Sequence, residues 1–128
     1  MLIFKEFTFD AAHFLPKVPQ EHKCRNLHGH TYRLKLFLEG EADPEMGWVV
    51  DFGEVKKAWK KVEPLLDHQY LNDVPGLENP TVENIAPWIW RKLKPELHQL
   101  AKIELWETPT AGVIYEGEHS KGQYIAND

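Results

Sequence analysis

Two stretches of alternating residues carry histidines on their apolar parity, and nothing else in the sequence limits the fold as tightly. From Ile3 to His13, Phe7, Phe9 and Ala11 share a parity with His13, while Glu6, Thr8 and Asp10 take the other; this is the period of a half-buried strand. From Thr31 to Gly40 the even positions hold Tyr32, Leu34, Leu36 and Leu38 and the odd ones Thr31, Arg33, Lys35 and Glu39, with Phe37 the misfit. His28 and His30 form an H-x-H at the start of this second strand, so both rings fall on the face that carries Leu34 and Leu36. If the two strands pair as an antiparallel hairpin, His13, His28 and His30 meet at the end bearing the loop between them.

Three neutral imidazoles with an open fourth position are a catalytic zinc arrangement, whereas closed structural sites use cysteine-rich sets of four. The competing reading is that each histidine is separately satisfied in the core or at the surface. Cys24, four residues before His28 and flanked by Lys23 and Arg25, is the only cysteine and closes no disulfide within the chain. It has three readings: a base or nucleophile whose thiolate the neighbouring cations favour, a fourth ligand, or an inert small hydrophobe. The loop FLPKVPQEHKCRN also gathers Lys17, His22, Lys23 and Arg25, which can receive a phosphorylated substrate or stay solvated.

Past ADPEMG, Asp51 with Glu54 reads as a helix start, and Phe52, Val55, Trp59, Val62 and Leu66 continue at helical spacing, predicting a helix over 52–66. Asp67 and His68 follow it. A carboxylate can tune an imidazole for proton transfer, but adjacency in sequence does not bring the two together. After DHQYLNDVPGLENP, Thr81 caps VENIAPWIWRKL, with Val82, Ile85, Ile89 and Leu93 on one face. Pro87 removes a hydrogen bond there and should bend the axis, at roughly 3 kcal/mol unless packing compensates. Alternation returns over 101–107, placing Glu107 with Ile103 and Leu105 on the core side, where a carboxylate needs a donor. That donor is an internal Arg or Lys, or the guanidine-like edge of a pterin or purine. A last strand follows TPTAG over 113–116.

The order β-β-α-α-β-β predicts an α+β domain with an antiparallel sheet packed on two helices, spanning 1–118 and leaving 119–128 as a tail. The 128 residues carry a formal charge of −5 at pH 7, a poor match for a phosphate backbone, so no nucleic-acid partner is expected. Lys5 and Glu6 interrupt any leading apolar stretch and no run of about 18 apolar residues occurs, so neither export nor membrane spanning is expected. A lone cysteine fits the cytoplasm.

The segments FTFDAAHFLP, HKCRNLHGHTY, GWVVDFGEVK, LDHQYLND, GLENPTVENIA and ETPTAGVIYEGE resemble, in order and spacing, the 6-pyruvoyl-tetrahydropterin synthase family. C-x-x-x-H-G-H, from Cys24 to His30, is similar to its 6-carboxy-tetrahydropterin synthase branch, of queuosine biosynthesis. The resemblance implies a tunnelling fold whose sheets join into an oligomeric β-barrel, commonly a hexamer, with active sites between subunits. It implies Zn2+ on His13, His28 and His30, Cys24 as catalytic base, Asp67 with His68 as proton relay, and Glu107 anchoring the pterin ring. The implied reaction turns 7,8-dihydroneopterin triphosphate into 6-carboxy-5,6,7,8-tetrahydropterin, acetaldehyde and triphosphate. The alternatives are a 6-pyruvoyl-tetrahydropterin synthase and a non-catalytic zinc- or pterin-binding module.

Overall fold

The computed structural model describes residues 1–117; the expected domain end at 118 and the tail 119–128 lie outside them. The two alternating stretches form β1 (Leu2–His13) and β2 (His28–Glu39), paired antiparallel from Leu2↔Glu39 to His13↔His28. β2 starts at His28, so the H-x-H is itself in the ladder, as its predicted place at the start of the strand requires. Helix α1 (Phe52–Val62) opens on Asp51, whose side chain accepts the Gly53 N–H at 2.8 Å. It ends short of the predicted 66: Pro64 cannot donate to the helical ladder, and residues 63–65 tighten into a 3₁₀ turn.

A two-residue strand β3 (Gln69–Tyr70), unforeseen in the sequence, pairs parallel with β1 at Ala11 and Ala12. Helix α2 (Val82–Leu93) runs through Pro87 with Ile85, Ala86, Trp88, Ile89, Trp90 and Leu93 buried, which is the packing that offsets the lost hydrogen bond. Thr81 is its N-cap by backbone: its carbonyl accepts from Asn84 and Ile85, while its side chain makes no capping bond. Strands β4 (Leu100–Thr108) and β5 (Ala111–Tyr115) close the sheet in the order β3-β1-β2-β4-β5.

The helices cover the face bearing Phe9, Tyr32, Leu34, Leu36, Ile103 and Leu105, with Trp59 of α1 packed on the rings of Phe7 and Phe9. Phe52, assigned by periodicity to the buried face of α1, is 48% exposed: it is the first helical residue, and the buried face begins one turn later at Val55. The misfit Phe37 turns to the uncovered face, where its ring meets Phe4 at 5.5 Å and Lys102 at 4.5 Å.

Between β4 and β5 the register passes from Trp106↔Gly112 to Thr108↔Ala111, so Glu107 is the extra residue of a bulge. A Cβ at Gly112 would collide with the backbone of Leu105 and Trp106, so only glycine lets the two strands close here. Gly112→Ala is expected to open this bulge, lowering stability by roughly 1–3 kcal/mol in urea unfolding and weakening whatever Glu107 holds.

Candidate metal and pterin site

The β1–β2 ladder ends on the directly opposed pair His13↔His28, and His30 stands two residues along on the same face. The three rings pack edge to face, with centroids 4.6–5.0 Å apart, and one nitrogen from each lies within 4.8 Å of the others. His13 is 1% exposed. Its Nδ1 lies 2.8 Å from the Pro80 carbonyl, and His28 Nδ1 lies 2.7 Å from the Asn26 carbonyl. A carbonyl only accepts, so both Nδ1 atoms carry hydrogen and both Nε2 atoms present bare lone pairs when the rings are neutral.

Those two Nε2 atoms nevertheless face each other at 3.1 Å, and His30 Nε2 is buried with no hydrogen-bond partner. Burial is the main reason the pKa of His13 lies below the ordinary histidine value, with a smaller contribution from His28. Burial likewise lowers that of His30, against the opposing pull of Glu107. Neutral lone pairs converging on one point, two of them aimed by carbonyls behind the ring, are what a divalent cation satisfies.

The bulge delivers Glu107 to the same place. Its carboxylate lies 3.9 Å from His13 Nε2 and 4.0 Å from His30 Nε2, 26% exposed, so the fold turns it toward imidazoles instead of the Arg or Lys weighed from sequence. Beneath it, burial and the Glu107 charge push the Tyr32 hydroxyl pKa far up, which keeps that phenol protonated. Cys24 sits in a 3₁₀ turn, Lys23–Arg25, partly buried. Its carbonyl accepts the N–H of Leu15, two residues beyond His13, at 2.8 Å, which folds the loop back over the end of β1. Its sulfur is not in the cluster of candidate ligands. Within the basic loop, Arg25 donates to the Val18 carbonyl at 3.1 Å, while Lys17, His22 and Lys23 are exposed.

Asp67 and His68 do touch: His68 Nδ1 lies 2.9 Å from Asp67 Oδ2. This contact and the Asp67 charge raise the His68 pKa above its ordinary value. The Asp67 carboxyl is held below its usual range first by the Asp10 N–H it accepts and then by His68. His68 takes φ +60°, alone among the described non-glycine residues in being left-handed, at a cost of roughly 1–3 kcal/mol. Its N–H donates to the Asp10 carbonyl at 2.6 Å, an anchor that sequence periodicity could not reveal.

The dyad does not join the triad of its own chain. Alternation sends the Asp10 side chain to the face opposite His13, and the Asp10, Asp67 and His68 polar atoms cluster there within 4.8 Å of one another. Asp10 and His68 border a cleft of about 580 Å³ with Ala12, His30, Thr31 and Tyr70. The sequence pattern of 6-pyruvoyl tetrahydropterin synthase matches residues 2–118. The chain belongs to that family.

Within the 6-pyruvoyl tetrahydropterin synthase family, the chain is 43% identical to the 6-carboxy-5,6,7,8-tetrahydropterin synthase of Synechocystis sp., over 89% of this chain and 92% of that protein. It is 39% identical to the dihydroneopterin monophosphate aldolase of Pyrococcus furiosus, over 85% and 91%. In structure it resembles the 6-pyruvoyl tetrahydropterin synthase of Caenorhabditis elegans, with a TM-score of 0.84 and 31% identity over 92% of this chain and 96% of that one. The observed fold is that family's α+β tunnelling fold. No helix among the described residues is long and apolar enough to cross a membrane.

Proposed function

We propose that the protein is a zinc-dependent carbon–carbon lyase of queuosine biosynthesis. It converts 7,8-dihydroneopterin triphosphate into 6-carboxy-5,6,7,8-tetrahydropterin, acetaldehyde and triphosphate, in the cytoplasm. The observation that carries the reading is the cluster of facing, carbonyl-oriented imidazole nitrogens beside Glu107, in a chain 43% identical to a protein of that name. His13, His28 and His30 would hold the ion, their neutral nitrogens suiting zinc and three protein ligands leaving a position for substrate. Bound there, zinc supplies Lewis-acid charge that stabilises negative charge developing on the side-chain oxygens of the substrate.

The chain's own groups do the rest. Glu107 accepts the paired N–H groups of the pterin edge, which sets the side chain over the triad. Cys24, held over the end of β1, moves the proton on side-chain carbon, and His68, oriented by Asp67, carries a proton to or from side-chain oxygen. Because the dyad and triad lie on opposite faces of one sheet, His68 serves the triad of a neighbouring copy. Among the described residues β1 keeps a long open edge, since β3 covers it at Ala11 and Ala12 only, and Phe4 and Ile114 are 51% and 61% exposed on the uncovered face, which supports such assembly. We assign the assembly as a homo-oligomer, a hexamer.

Incubation with dihydroneopterin triphosphate, with and without chelator, tests the reading. Chelator-sensitive formation of the carboxypterin and acetaldehyde is expected. A pyruvoyl pterin, or a product of aldol cleavage such as the name of the Pyrococcus relative suggests, would overturn the reaction while leaving the metal site standing.

A further inference from the structure

Asp10 makes more contacts to the Asp67–His68 pair than the pair makes with itself. Its main-chain N–H donates to Asp67 Oδ1 at 3.0 Å and its carbonyl accepts from His68 N at 2.6 Å. Its carboxylate, on the far side from the metal triad, accepts the Thr31 hydroxyl at 2.6 Å, a short charge-assisted bond across the ladder pair Asp10↔Thr31. That bond holds an Asp10 oxygen within 4.8 Å of both the Asp67 carboxylate and a His68 ring nitrogen. Two carboxylates this close repel each other, and a cationic imidazole beside them relieves that repulsion. The left-handed His68 backbone is stabilised by the same residue.

We propose that Asp10 is a positioning residue for the Asp67–His68 pair, docking both residues onto β1 through its main chain and facing His68 with a second carboxylate that Thr31 pins in place. The proposal deepens the proposed function, since it assumes that the pair relays protons. Periodicity gave Asp10 no role beyond a polar place on a strand. The charged groups acting on His68 are Asp67, from its own segment, and Asp10, from β1.

Asp10→Asn tests it, because the amide preserves shape and both main-chain bonds while removing the charge. The readout is the His68 titration midpoint by NMR in the metal-loaded oligomer without substrate. Two charges about 4.8 Å apart near water interact by enough to move that midpoint by about half a pH unit. The shift is downward, since losing a negative neighbour disfavours the imidazolium. The limb of the kcat profile that depends on His68 should move down by a similar amount, with KM little changed.

Thr31→Val, which frees the carboxylate from its anchor, should also lower the midpoint, and Thr31→Ser, which keeps the hydroxyl, should restore it. If Asp10→Asn does not fold, the two Thr31 variants decide the matter by the same reading. A His68 midpoint identical to wild type in Asp10→Asn, or identical in Thr31→Val and Thr31→Ser, overturns the inference. A moved midpoint in an oligomer that fails to form carboxypterin supports the positioning role and overturns the proposed reaction alone.

Discussion

His28→Ala is expected to release the metal and reduce carboxypterin formation by at least about 100-fold, since even the partners behind a ligand are worth 10- to 100-fold in affinity or activity. The reason is geometric. His28 supplies one of two nitrogens that face each other at 3.1 Å, and its ring is already aimed by the Asn26 carbonyl, so alanine removes a ligand whose orientation is settled in advance. Two ligands cannot retain a three-imidazole affinity. Fold should survive, because His28 is only partly buried and is the first residue of its strand. Metal content by elemental analysis, read beside circular dichroism, checks the outcome: a folded His28→Ala protein that keeps one metal ion per chain would remove the triad from the site.

The second large effect concerns which copy supplies the proton relay. Cys24→Ala and His68→Ala should each lower turnover by about 10²- to 10⁴-fold, the range for a lost general acid or base, with metal content unchanged in both. Loss of metal from Cys24→Ala would instead make the thiolate a ligand. Because Asp67 and His68 cluster with Asp10 and apart from the triad of the same chain, the proposed relay is expected to serve the triad of a neighbouring copy. Unfolding the two inactive variants together and refolding them should restore activity at about a quarter of the sites, those pairing an intact Cys24 from one chain with an intact His68 from another. Absence of any recovery in mixed oligomers, verified by differential mass labelling, would place each complete site within one chain.

Much of the candidate metal site was legible because a strand's side-chain period is exact: once Phe9, Ala11 and His13 share a face, His28 and His30 can reach it only through one register, and that register is observed. The same period placed Glu107 on the core side. It could not supply the bulge opposite Gly112 that turns Glu107 toward the triad, since a bulge depends on which strands become neighbours. Helix α1 was overextended for a local reason, Pro64, and its first residue, Phe52, was misassigned because periodicity does not say at which turn a helix's buried face begins.

By itself, then, the sequence determined the alternation, the helical faces and the residue types able to bind a cation or move a proton, all properties of neighbours along the chain. Tertiary structure alone decided that main-chain carbonyls of Pro80 and Asn26 orient the imidazoles, that a two-residue parallel strand seats Asp67 and His68 beside Asp10, and that this pair faces away from the triad. Those features are made by backbone groups, which every residue carries alike and no side-chain pattern records; they acquire a role only when folding brings distant segments within hydrogen-bonding distance.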